Sequence, residues 1–377
     1  MIREKAIRYS QELLIADGHI DLPYRLFKEN LLYEKNIDLD YETQGNFDIP
    51  KAEKGGLNCP FMAIYIPANK SEKEAFNFAN SLINLVENVT NSNEKFDRAL
   101  SPNDVINNFK NDKISLPMGM ENGSALGNNI ENLNYFFKRG IRYITLTHSK
   151  NNRICDSSYD KLKRRGGLSN FGKTLIKKMN DIGMMVDVSH VSDDSFFDII
   201  KISKKPVIAS HSSPRHFTPN FERNLNDEMI KLIAVNNGVI LVNFGSSFVN
   251  KKSNKLFNKI NQLVAKWREE NSSKISYEEE DTYRNSLIKK YDPFADIEDV
   301  LDTIDYIIDL VGEDYVGLGS DFDGLGNSLP NQLKDTSTYV NLIEGLLKRK
   351  HSKETIEKIC YKNFFRVWEA NLQNHQT

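Results

Sequence analysis

The sequence predicts a (β/α)₈ barrel of the TIM type, with a charged helical insertion after strand seven. Three observations carry that reading. Eight short apolar runs recur, at 13–21, 58–67, 114–123, 141–148, 183–190, 206–211, 238–244 and 315–324. Helix-like stretches separate them, and strands alternating with helices imply a parallel sheet. Histidines and acidic residues fall at the ends of the runs, where a barrel of this kind carries its chemistry.

Each element has its own signal. The runs, among them LLIADGHID, NCPFMAIYIP, GMMVDVSH and GVILVNF, are short and rich in Val, Ile and Met. Strands covered on both faces have that composition. The clearest helix is FGKTLIKKMNDI (171–182), where Phe171, Leu175, Met179 and Ile182 repeat at helical spacing behind Ser169 and Asn170 as caps. Residues 249–292 break the alternation: they are highly charged and helix-like, hence an insertion after strand seven. It reads as a solvated helical elaboration; its functional reading is a lid or an oligomer contact. The tail, from Asp302 through KICYKNFFRVWEANL, reads as helices packing on the outside of the barrel. Residues 1–377 are read as a single metal-dependent hydrolase domain, since barrels of this size often form one unit.

Composition narrows the function. A formal net charge of −2 provides no basic field for nucleic acid. No apolar run approaches the roughly 20 residues of a membrane span. Cys59, Cys155 and Cys360 are odd in number and far apart, which excludes a disulfide framework and a CxxC-type zinc site. The N-terminus has early basic residues but no long apolar stretch or small-residue cleavage site. The expectation is a reducing, cytoplasmic protein; a trimmed secreted form reads the same.

Of seven histidines, His19, His148, His190 and His211 fall at or near the end of a proposed strand; His216, His351 and His375 do not. Imidazole is the commonest protein ligand for zinc-like metals. His19 and Asp21, two residues apart on a strand, point to one side. Glu121 ends MGMENG, where a carboxylate is costly to bury unless paired; its functional reading is a bridge between two ions. His190 and His211 end successive strands and suit one ion. Asp187 is read as structural or supporting. Asp321, in GLGSDFDG, is the favoured general base, with Asp323 orienting the loop. The set matches two divalent ions about 3.5–4 Å apart around a hydroxide. No GxSxG elbow offers a serine alternative.

These strings have a familiar pattern. DGHIDLP, GMENGSALG, YITLTHSKNN, GLSNFGKTLIKKMNDIGMMVDVSHVSD, PVIASHSSPRHF and GLGSDFDG together resemble the membrane (renal) dipeptidase family of the amidohydrolase superfamily, from about residue 13 to 369. The resemblance implies a barrel with two Zn²⁺, or other divalent ions. His19 and Asp21 would hold the first ion, Glu121 would bridge, and His190 and His211 would hold the second. Asp321 would be the acid/base residue, and His148 would hydrogen-bond the scissile carbonyl or oxyanion. Arg223 would grip the substrate's C-terminal carboxylate. Two departures fall near the pocket: Asn122-Gly123-Ser124 replaces a Gly-Gly-His run, and Cys155 replaces an alanine. They bear on substrate preference; Cys155 is read as a small pocket-wall residue.

The expected activity is zinc-dependent hydrolysis of dipeptides, including those with a D-residue at the C-terminal position, through a hydroxide shared by two ions. The alternatives are a binuclear amidohydrolase for a β-lactam or N-acyl amino acid, and a catalytically silent metal-binding barrel. The partners implied are a dipeptide, no nucleic acid and, from the resemblance, a homodimer.

Overall fold

In a computed structural model that describes residues 1–33, 37–271 and 275–373, eight parallel strands form one sheet in chain order. They are β1 (Ala16–Ile20), β2 (Cys59–Tyr65), β3 (Met118–Glu121), β4 (Ile141–Thr145), β5 (Met185–Asp187), β6 (Ile208–Ala209), β7 (Val239–Val242) and β8 (Val316–Leu318). The circle closes just beyond β8, where Asp321 N–H donates to His19 O at 3.1 Å and Asp21 N–H donates to Phe322 O at 2.8 Å. Helices join the strands. Asn170–Ile182 is typical: Ser169 alone caps it, accepting from Gly172 N–H at 2.9 Å, and Gly183 ends it in a left-handed turn.

The third run differs from its reading as one strand. Ile114–Ser115 pairs with Phe96–Asp97 in a separate two-stranded sheet, and only Met118–Glu121 enters the barrel. Pro117, lying between them, has no N–H to give a ladder.

Successive strand residues alternate between two cores. Ile64, Ile144 and Ile240 belong to the larger cluster with the surrounding helices. Phe61, Tyr143, Met185, Ile208 and Leu241 belong to a second cluster with Phe364, Phe365 and Trp368. The tail therefore does more than pack outside: helix Asn363–Leu372 closes the bottom of the barrel. Trp368 and Phe364 each lie 4.9 Å from the Phe61 ring. Arg366 donates to Gly238 O and Asn371 donates to Pro206 O, both just before a strand.

At the other end, the insertion after β7 comprises helices Lys251–Asn271 and Tyr277–Tyr291. Phe257, Ile260, Val264, Leu287 and Ile288 give it a small apolar core of its own. A capping box of Ser276 and Glu279 starts the second helix. No described helix is long and apolar enough to cross a membrane.

Candidate active site

A cavity of about 900 Å³ opens at the C-terminal ends of the strands. Asp21, Glu121, His148, His190 and Asp321 face it, and Phe257, Asn261 and Arg284 of the insertion line its wall. The structure brings seven of the eight site residues read from sequence together, and holds the eighth, Arg223, on the His211 carbonyl beside them, outside the residues that line the cavity. His375 lies outside the described residues.

Local backbone sets the aim of these side chains. His19 is within β1, and Asp21 and Glu121 are at or just past strand ends. His190 and Asp321 each stand three residues beyond a strand, with φ of 68° and 63°. Left-handed backbone turns each side chain back over the mouth, a conformation that is costly outside glycine and concentrated at functional sites. The sequence reading that put them on strand ends was off by this turn. Asp187, at the end of β5, is fully buried and does not line the cavity.

Glu121 is the hub. Its Oε1 lies 3.1 Å from His190 Nε2, 3.3 Å from His211 Nε2 and 3.8 Å from His148 Nε2. Its Oε2 lies 3.7 Å from His19 Nε2, which is 3.5 Å from Asp21 Oδ2. His190 Nε2 and His211 Nε2 are 2.9 Å apart. Three overlapping groups result, each with ligand atoms within 4.8 Å of one another: His19, Glu121 and His211; Glu121, His148 and His190; His19, Asp21 and Asp321.

Burial makes these charges expensive and shifts them. Burial alone would raise the Glu121 carboxyl, but His148 and His19 hold it well below the usual carboxylate range. Burial pushes Asp321 well above that range; His19 opposes the shift, and Asp21 and Glu121 add to it. Burial likewise carries His190 and His211 well below the usual histidine range, with Arg223 contributing to both. His190 and His211 are thus held neutral, the form in which imidazole can ligate a metal, whereas His19, despite its burial, is carried well above the usual histidine range by Tyr143 and Glu121.

Supporting contacts fix several groups. Asn243 donates to Asp321 Oδ2 at 2.8 Å, and its amide is oriented because Gly245 N–H occupies its Oδ1 at 2.7 Å. Asp323 accepts from Asn46 N–H at 2.6 Å and returns its own N–H to Asn46 Oδ1 at 2.7 Å, tying down the loop after β8. Arg223 is buried; its Nη1 donates to Ser212 Oγ and its Nη2 to His211 O, both at 2.8 Å, while its Nε has no partner. Among the described residues no carboxylate lies within ion-pair distance of it.

Some expectations shift. Cys155 is fully buried and does not line the cavity; burial pushes its thiol up to about 12, consistent with an inert residue. Asn122-Gly123-Ser124 line a neighbouring cavity of about 190 Å³ rather than the main one. Asn243 and the insertion residues Asn261 and Arg284 escaped the sequence reading. A polar Asn directly after a buried strand was the one available signal for Asn243.

A parallel barrel with histidines and carboxylates clustered at its C-terminal mouth defines a metal-dependent hydrolase. The chain belongs to the membrane dipeptidase family, peptidase family M19, whose model matches residues 3–377. It is thus a metallo-dipeptidase, a hydrolase acting on peptide bonds. It is 29% identical over 364 residues to "Dipeptidase tcpJ" of Claviceps purpurea, covering 93% of this chain and 75% of that protein. It is 27% identical to "Dipeptidase 3" of Mus musculus over 375 residues, 97% of this chain and 66% of the mouse protein. Among solved structures, the probable dipeptidase PvdM from Pseudomonas aeruginosa superposes with a TM-score of 0.85 at 25% identity, covering 99% of each chain. A metallo peptidase from Rhodobacter sphaeroides, liganded with a phosphinate mimic of L-Ala-D-Ala, shares the fold, with a TM-score of 0.77 at 23% identity over 95% of this chain and 99% of that one.

Proposed function

We propose that residues 1–377 form one hydrolase unit that uses two Zn²⁺ ions to cleave dipeptides. The observation that carries this is the convergence of His190 Nε2, His211 Nε2 and Glu121 Oε1 within 3.3 Å of one another, beside a buried His19 Nε2 with no hydrogen-bond partner. An orphaned buried nitrogen is costly, and a cation relieves it. The donor set, imidazole nitrogens and carboxylate oxygens, suits zinc. His19 and Asp21 would hold one ion, His190 and His211 the other, and Glu121 would serve both. When bound, such ions polarise a carbonyl and lower the pKa of nearby water.

The remaining work falls to the chain. Asp321, held by Asn243, takes the proton of the attacking water and delivers it to the leaving amine. His148, at the cavity edge and 24% exposed at its side chain, reaches the carbonyl oxygen and stabilises the charge that develops there. Arg223, a buried cation with an unused Nε, binds the substrate's terminal carboxylate. That grip measures the substrate from the scissile bond to its C-terminus and restricts it to one residue beyond the bond. A phosphinate mimic of L-Ala-D-Ala bound to the Rhodobacter relative supports acceptance of a D-residue at that position.

The test is a panel of dipeptides with L- and D-residues at the second position, run beside an N-acyl amino acid and a β-lactam. Release of amino acids from dipeptides is expected. Hydrolysis of the lactam or the N-acyl compound alone would replace dipeptides as the substrate class. Full zinc content without any turnover would make the barrel a silent binder.

A further inference from the structure

Two hydroxyls stand directly behind the histidine cluster, and their hydrogen bonds place a proton on the Nδ1 of each neighbouring imidazole. Ser210 Oγ contacts Asp187 Oδ2 at 2.6 Å and His211 Nδ1 at 2.7 Å. Asp187 is fully buried and receives three further donors: Thr145 Oγ1, Ser189 N–H at 3.0 Å and Ser210 N–H at 2.8 Å. An ionised carboxylate only accepts, so the one proton of Ser210 Oγ goes to Asp187. The hydroxyl oxygen must then accept from His211, which places that imidazole's proton on Nδ1. Its Nε2 lone pair is left facing His190 and Glu121.

Tyr143 repeats the logic on another strand. Its Oη lies 2.9 Å from Gly18 O and 2.9 Å from His19 Nδ1. A carbonyl only accepts, so the phenol donates to Gly18 and accepts from His19 Nδ1–H. With a cation bound, His19 Nε2 would offer its lone pair on the side of Asp21 and Glu121. Gly119 makes the arrangement possible: it pairs with Tyr143 across the sheet, and a Cβ there would stand 2.0 Å from the Tyr143 Cζ. His190 has no such backing, since its Nδ1 is buried without a partner.

We infer that Ser210, anchored on Asp187, and Tyr143 are positioning residues that lock His211 and His19 in the Nδ1–H tautomer and aim their Nε2 atoms at the metal centre. Groups that orient a ligating imidazole typically govern metal affinity by about 10–100-fold. This rests on the reading that these histidines ligate zinc.

The test uses the full chain, stripped with a chelator and titrated with zinc against a chromophoric competitor. Ser210→Ala and Tyr143→Phe are each expected to weaken zinc binding by about 10–100-fold. In histidine-labelled, zinc-loaded protein, long-range ¹H–¹⁵N spectra are expected to show His19 and His211 protonated at Nδ1. Tyr143→Phe should alter the His19 pattern alone and leave that of His190 untouched. Denaturant stability of the metal-free variants is measured alongside. Loss of stability with zinc affinity within about twofold of the parent means the hydroxyls merely pack, and overturns the inference. Should Ser210→Ala fail to fold, Tyr143→Phe, which keeps the ring against Phe61, decides the matter alone. A parent chain that binds no zinc overturns the metal reading itself, whereas tight parent binding with unchanged variants overturns only the positioning roles.

Discussion

The two ends of the barrel are built by the same strands and hold opposite chemistry. At the bottom, Phe61, Leu241, Phe364 and Trp368 form an apolar plug in which every ring is buried. At the top, near the C-terminal ends of the strands and in the turns beyond them, lie His19, Glu121, His211 and Asp321, all within 9% of full burial and all titratable. Burying apolar surface contributes roughly 25 cal/mol per Å², while burying unpaired charge costs several kcal/mol. The plug stabilises a closed ring; the ring holds charges together that would otherwise separate or take up protons. Tyr143 spans both ends, its ring 5.6 Å from Phe61 and its hydroxyl on His19.

That division can be broken from either side. The largest effect belongs to the top. Asp321→Asn should lower turnover by about 10²–10⁴-fold while zinc content and denaturation midpoint stay near those of the parent. Zinc loss on this substitution would make Asp321 a ligand. Next comes the bottom: Trp368→Ala should cost about 3–5 kcal/mol of stability, measured by denaturant titration, with turnover per folded molecule retained. A specific loss of turnover there would mean the plug and the mouth are coupled, and the division would fall. The smallest is Arg223→Lys. It keeps a charge but loses planar, bidentate geometry, so KM should rise by about tenfold, near the 1.4 kcal/mol of a weakened charged hydrogen bond. A change confined to kcat would remove Arg223 from substrate binding.

How much of this was legible depended on whether a feature is local. The eight apolar runs each contain a barrel strand because a strand covered on both faces must be apolar throughout. Residues His19, Glu121 and His211 were readable because they directly follow or end such runs. The left-handed turns that bring His190 and Asp321 back over the mouth were not, since Asp and His, though enriched in that conformation, adopt it at only a minority of positions. Pro117 marks the break between Ile114–Ser115 and Met118–Glu121, which the continuous apolar run conceals. The NFFRVWE helix shows an apolar face without saying what it covers, so the sequence predicts an outer helix where the structure has the bottom plug. Tyr143 was invisible because its role depends on Gly119, a neighbour across the sheet 24 positions earlier in the chain. The serine preceding His211 was in view, but its link to Asp187 exists only once β5 and β6 lie side by side.

A zinc titration of the stripped chain, with dipeptide turnover and bound metal followed in the same sample, tests the shared metal centre most directly. Turnover that rises with added zinc and levels off near two ions per chain is the expected result. Turnover that is indifferent to zinc, or saturation with a single ion while Glu121→Gln retains full metal content, would contradict a centre shared through Glu121.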